Sequence, residues 1–214
     1  MQGKFITLEG VEGSGKSTQA ELIKEHLQQL GYEVALTYEP GDTEIGQKIR
    51  KILLDPENNK LVSKAELLLY LADRAQHVEE VIKPNLAQDK IVISDRYIDA
   101  TWAYQGFARK LDSTLVKRLN KIATDNLVPD LTILLDLNPV LSLKRAKDAT
   151  AEVTMHGDRI ESENIEFHQK VQEGYLKLAQ EEERIAVVNG EQNKDIVFRQ
   201  IKQILRERSI VWPE

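Results

Sequence analysis

A lysine and a hydroxyl residue set behind widely spaced glycines form a pattern suited to chemistry on polyphosphates. Gly10, Gly15, Lys16 and Ser17 meet the spacing G-x-x-x-x-G-K-[ST] inside "LEGVEGSGKST", Leu8 to Thr18. In such a loop the backbone N–H groups of a bare turn wrap the phosphates, and the dipole of the following helix points at them. Gly10, Val11, Glu12, Gly13 and Ser14 form the turn, and Gly15, Lys16, Ser17 and Thr18 lead into the helix, so this whole stretch is expected to hold the phosphates. Lys16 is placed for the β- and γ-phosphates and the Ser17 hydroxyl for Mg2+.

Other candidates are scattered along the chain. Asp95 closes the apolar run "KIVISD", where a carboxylate can meet Mg2+ directly or through water, and Arg96 follows with five donors in a planar fork suited to phosphate. The alternative for these two is a surface ion pair with no ligand. Thr101, Tyr104 and Gln105 stand at i, i+3 and i+4, which on a helix is one face carrying a hydroxyl, a phenol and a carboxamide. That face suits a nucleobase, and it equally suits an ordinary half-buried surface. Tyr70 and Arg74, four apart among leucines, fit either a stacked heterocycle or a core tyrosine beside a snorkelling arginine. Arg50 in "GQKIRKILL" is either a phosphate clamp or an exposed helix arginine.

These residues need elements to hold them. Strand-like runs recur as "KFITLE", "EVALTY", "KIVISD", "LTILLDL" and "RIAVVN", separated by amphipathic stretches such as that bearing Leu22, Ile23, Leu27 and Leu30. Alternation of this kind predicts an α/β fold, a five-stranded parallel sheet with helices on both faces and ligands at the C-terminal edge of the strands. The 214 residues are expected to form one domain. The polar segment Lys147 to Asp158 lacks clear periodicity and is expected to be a lid. A net charge of −6 argues against a nucleic-acid surface, the absence of cysteine excludes thiol chemistry, and no apolar run approaches a membrane span. A cytoplasmic protein is expected. A guanine-reading switch is disfavoured, because Asn193 and Lys194 are followed directly by Asp195 and miss the N-K-x-D spacing.

Taken together, "EGVEGSGKST", "EPGDTEIGQKIRKILL", "DRYIDATWAYQG", "PDLTILLDL" and "DRIESENIEFHQKVQEGY" resemble the thymidylate kinases of bacterial type, from about Phe5 to about Tyr175. The resemblance implies a P-loop NTPase fold of the nucleoside monophosphate kinase kind, phosphoryl transfer from ATP with Mg2+ to thymidine monophosphate, and a homodimer. A kinase of the same fold acting on another nucleoside monophosphate or small acceptor is the alternative. It also implies that Tyr70 stacks on thymine, that Arg74 and Gln105 bond its polar edge with Thr101 nearby, and that Arg50 and Arg96 hold the acceptor phosphate. Glu12 is implied to approach the sugar 3′-hydroxyl, and Tyr104 to occupy the place of a ribose 2′-hydroxyl. The chain departs from the family in two places. It has "YEPGDT", with Tyr38 and Asp42, where Arg-Glu-Pro-Gly-Gly-Thr is usual, and its lid segment is long and poor in arginine. Glu12 and Gly13 stand where some members carry a loop arginine, so the resemblance assigns the missing charge to Arg159 first and Arg145 second, with stacking on the ATP adenine as the other role for Arg145.

Overall fold

The structure, a computed structural model, describes residues 3–151 and 158–210. Strands β1 (Lys4–Glu9), β2 (Val34–Tyr38), β3 (Ile91–Asp95), β4 (Leu131–Asp136) and β5 (Ile185–Asn189) form one parallel sheet in the order β2-β3-β1-β4-β5. Most of their residues are Val, Ile and Leu, and they read as near-continuous apolar runs because both faces are covered. Glu33, Lys90 and Arg184, charged residues assigned to strands from sequence, fall just outside the ladders. β1 lies at the centre, pairing Phe5 with Val92 on one side and Ile6 with Leu131 on the other. The loop that leaves β1 therefore emerges at the middle of the C-terminal edge.

Side-chain alternation divides the core. Ile6, Leu8, Ile93 and Ile133 pack on Ile23 and Leu27 of helix α1 (Lys16–Gln29) and on Ile201 and Leu205 near the C-terminus. On the opposite face Leu134 meets Trp102, Phe167, Val171 and Tyr175. A third group, Leu67, Leu71 and Val116, joins two helices that stand outside the sheet layers. These are α3 (Ser63–His77), which follows α2 (Glu44–Leu54), and α5 (Ser113–Thr124). Between them, α4 (Ile98–Thr101) continues into a π-helical stretch, Trp102–Ala108. Three longer helices follow, α6 (Pro139–Ala151), α7 (Ile165–Glu181) and α8 (Lys194–Glu207), and short helical turns occur at Pro56–Asn58, Val78–Ile82 and Lys83–Leu86. Lys147–Ala151, expected in a lid, belong to α6, and residues 152–157 of that segment lie outside the described residues.

A buried polar frame ties the outer helices to the sheet. Arg74 is 1% exposed and donates from Nε to Glu39 Oε2 at 2.8 Å, from Nη1 to Thr101 Oγ1 at 2.6 Å and Asn120 Oδ1 at 2.7 Å, and from Nη2 to the Tyr97 carbonyl at 2.8 Å, with Nη2 also 2.8 Å from Glu39 Oε2. His77 Nδ1 meets the other Glu39 oxygen at 2.9 Å. Burial alone would raise the Glu39 pKa, but Arg74 beside it holds the carboxyl below its usual range. Arg74 is thus placed differently from the role the resemblance assigns it, because its guanidinium is held among Glu39, Thr101, Asn120 and Tyr97 and does not line the cavity beside Tyr70. Thr101 goes with it. In a π-helical stretch the bonds run i to i+5, as from Arg109 N to Tyr104 O at 2.9 Å, so the i, i+3, i+4 rule no longer keeps three residues on one face. Removing one partner of a buried pair leaves an uncompensated charge, so Arg74→Ala is expected to lower folding stability by about 3–5 kcal/mol. A thermal melt of Arg74→Ala indistinguishable from wild type would contradict this placement.

Candidate active site

The loop after β1 is built from positions that only glycine fills easily. Gly10 has φ 143°, and a Cβ there would stand 2.6 Å from the Leu135 carbonyl oxygen. Gly15, just before α1, has φ 92° with open space around it, so backbone conformation alone demands glycine. Lys16 folds back over the turn, donating from Nζ to the Val11 carbonyl at 3.0 Å. Burial, followed by the nearby Arg96 charge, lowers its pKa. The Ser17 hydroxyl donates to Asp95 Oδ2 at 2.6 Å, bringing two hard oxygen groups together at the strand ends. Mg2+ keeps several waters and takes further oxygens from phosphate, so this pair fits it without a larger cluster. Among the described residues no group of three or more His, Cys, Asp or Glu is placed to hold a metal ion.

A cleft of about 610 Å³ opens over this loop, walled by Lys16, Ser17, Asp95, Arg96, Arg145 and Tyr38. A second cavity adjoins it, lined by Tyr70, Tyr104, Gln105, Leu54, Asp158 and Ile160. Glu12, Glu39, Arg50 and Arg96 line both. Two anionic ligands in these cavities would meet over the two arginines.

Arg96 is the central wall. Its backbone φ of 75° is rare for a residue with a side chain and costs on the order of 1–3 kcal/mol. In return its guanidinium donates to the Gly10 carbonyl at 2.9 Å and to Glu12 Oε2 at 2.5 Å, and lies over the Tyr104 ring at 5.3 Å. Burial would push Glu12 up, but Arg96 and Lys16 outweigh it and bring the carboxyl down to about 2. Beneath the loop, Glu9 meets Tyr97 N at 2.8 Å and Tyr175 Oη at 2.7 Å. Burial, then the neighbouring Asp99, pushes its pKa up, to about 8.

Arg50 donates to the Pro40 carbonyl at 2.7 Å and lies over the Tyr38 ring at 5.9 Å. The Tyr38 departure therefore places an aromatic ring beside a retained cation. Asp42 accepts from Thr37, which also touches His77. Tyr104 Oη is buried without a partner among the described residues. Arg159, the first choice for the missing charge, points elsewhere: its Nε donates to the Leu53 carbonyl at 2.8 Å and its Nη2 lies 2.7 Å from Glu66 Oε2. Its backbone N–H is also taken by the Leu54 carbonyl, so the segment is tied to the end of α2. Arg145, the second choice, lies in the cleft, donating to the carbonyls of Gly190 at 2.9 Å and Glu191 at 3.3 Å after β5.

The structure thus brings together the loop, Asp95, Arg96, Arg50, Tyr70, Tyr104, Gln105 and Arg145, and leaves Arg74, Thr101 and Arg159 in the surrounding frame. Sequence reasoning passed over Glu39 and Glu66. The signal for Glu66 was present: a carboxylate inside the leucine-rich run "AELLLYL", one turn before Tyr70, has to be paired.

Residues 8–201 match the family model described as thymidylate kinase. A thymidylate kinase from Geotalea daltonii is 52% identical over 196 residues, covering 90% of this chain and 92% of the relative. One from Carboxydothermus hydrogenoformans is 49% identical over 205 residues, covering 96% and 98%. The fold is similar to the crystal structure of thymidylate kinase from Ehrlichia chaffeensis, with a TM-score of 0.77 and 32% identity over 96% of this chain and 100% of that one.

Proposed function

The chain belongs to the thymidylate kinase family, and from that premise we propose that it transfers the γ-phosphoryl of ATP to thymidine monophosphate, giving ADP and thymidine diphosphate on the way to thymidine triphosphate. The observation that carries the reading is the pair of adjoining cavities sharing Arg50 and Arg96, one over a phosphate loop and the other edged by Tyr70 and Gln105. A phosphate oxygen of the acceptor attacks the γ-phosphorus as the bond to the β-phosphate oxygen breaks. The nucleophile is already an anion, so no general base is needed.

Catalysis then consists of positioning and charge neutralisation. The loop N–H groups and Lys16 orient the donor phosphates. Arg96 and Arg50 hold the acceptor phosphate, and Glu12, released from Arg96 by that phosphate, turns to the sugar 3′-hydroxyl. Tyr70 stacks on the base, Gln105 bonds its edge, and Tyr104 occupies the room a 2′-hydroxyl would need. Arg145, held over the loop after β5, packs against the adenine. A magnesium ion bound by Ser17 and Asp95 would neutralise charge on the β- and γ-phosphate oxygens. A protein that consumes ATP works where ATP is supplied, and we place it in the cytoplasm.

The test is a coupled ADP-release assay across acceptors. Thymidine monophosphate should give the highest kcat/KM. Deoxyuridine monophosphate, which lacks only a methyl, should fall by about 10–200-fold, and deoxycytidine monophosphate, which mismatches the hydrogen-bonding edge, by about 10⁴-fold or more. A higher kcat/KM for any other nucleoside monophosphate would replace the proposed acceptor.

We also propose a homodimer built on α2, α3 and α5, where Ile52, Leu68, Leu115 and Ile122 stand exposed on helices that pack side by side. Light scattering should give a mass near twice 24.4 kDa, and Leu68→Glu should return it to the monomer value. A monomeric wild type at assay concentration would refute the dimer.

A further inference from the structure

Glu66 lies on α3 one turn before Tyr70, and its carboxylate is 1% exposed. It receives Gln105 Nε2 at 2.9 Å, Arg109 Nε at 3.2 Å and Nη2 at 3.1 Å, and faces Arg159 Nη2 at 2.7 Å. Burial works to raise its pKa, but the hydrogen bonds from Arg109 and Gln105 bring it below the usual carboxylate range. Glu66 is therefore an anion at neutral pH, and an ionised carboxylate only accepts hydrogen bonds.

That restriction propagates to Gln105. A carboxamide free to turn offers a ligand either its oxygen or its N–H groups. Bonded to a carboxylate, Gln105 must direct its nitrogen at Glu66. Its Oε1 has no hydrogen-bond partner among the described residues, and the side chain lines the cavity beside Tyr70 and Tyr104. N3 of thymine or uracil carries a hydrogen and donates to such an oxygen. N3 of cytosine carries a lone pair and meets it with repulsion.

We propose that Glu66 is a specificity-determining positioning residue: by holding the Gln105 amide nitrogen it presents a carbonyl oxygen to the base, and so selects pyrimidines with a hydrogen on N3 over those with a lone pair there. The inference rests on the acceptor site proposed above. Glu66 itself touches no substrate. Arg109 and Arg159 keep it ionised, and Arg159 brings the segment after residue 157 into the same cluster.

The experiment measures kcat/KM for thymidine, deoxyuridine and deoxycytidine monophosphates in wild type, Glu66→Gln, Glu66→Asp and Gln105→Leu. In Glu66→Gln the new amide donates as well as accepts, so Gln105 can turn over, and the thymidine-to-cytidine ratio should fall by about tenfold or more. Glu66→Asp keeps the charge that Arg109 and Arg159 require but draws the carboxylate back from Gln105, so it should shift the ratio in the same direction and decides the matter where Glu66→Gln does not fold. The thymidine-to-uridine ratio should hold in both variants, because both bases carry the N3 hydrogen. A thymidine-to-cytidine ratio unchanged in the Glu66 variants but lowered in Gln105→Leu would overturn the proposal and leave the base-reading site intact. Loss of both ratios together would show a damaged pocket and overturn it as well. An unchanged ratio in Gln105→Leu would instead remove Gln105 from base reading, and the role of Glu66 with it.

Discussion

The site depends on one guanidinium. Arg96 stands at the end of β3 with a backbone conformation that side chains rarely adopt, and from there it reaches the carbonyl that opens the phosphate loop, the Glu12 carboxylate and the face of Tyr104. A residue in ordinary extended conformation would continue along the strand direction instead of turning toward β1. The conformation is supported by the Arg96 N–H bonding the Leu8 carbonyl at 3.0 Å, and by Ser94 Oγ donating to the Arg96 carbonyl at 2.8 Å. Parallel pairing of β1 with β3 makes this possible, since it brings the two strand ends to the same edge.

Around that point the molecule is arranged as two shells. The inner one gathers the cations Lys16, Arg50, Arg96 and Arg145 along a cleft that also carries carboxylates, among them Glu12, Glu39 and Asp95. The outer one is a set of buried carboxylates, each matched to arginine: Glu39 with Arg74, Glu66 with Arg109 and Arg159, and Asp99 with Arg184. Such pairs are not efficient sources of stability compared with apolar packing. The value of the first two here is geometric, because Glu39 itself lines the site and Glu66 fixes the direction of Gln105, which does.

The inner shell was largely legible in the sequence. A phosphate loop needs glycine where φ is positive and a lysine beside a hydroxyl, and those demands act on adjacent residues, so the pattern survives without a structure. The strands were legible for the same local reason, the differences being Glu33, Lys90 and Arg184, where a charged residue adjoins an apolar run, and Leu137, one residue past the end of β4. What could not be read was the outer shell. Arg74 and Arg159 look in sequence like any arginine near a ligand, and only the positions of Glu39 and Glu66, 35 and 93 residues away along the chain, decide that both are turned inward. The π-helical turn after Thr101 was likewise invisible, because its residues have helical spacing and only the i to i+5 bonding separates Thr101 from Tyr104 and Gln105.

We propose that Arg96 holds the acceptor phosphate where it meets the donor. This role is tested most directly by Arg96→Ala, with kcat from the coupled assay and equilibrium affinities for thymidine monophosphate and a non-hydrolysable ATP analogue measured on the same protein. The account predicts a kcat lower by about 100-fold or more, weakened acceptor binding and near-wild-type affinity for the ATP analogue. Wild-type kcat together with wild-type acceptor affinity would contradict it.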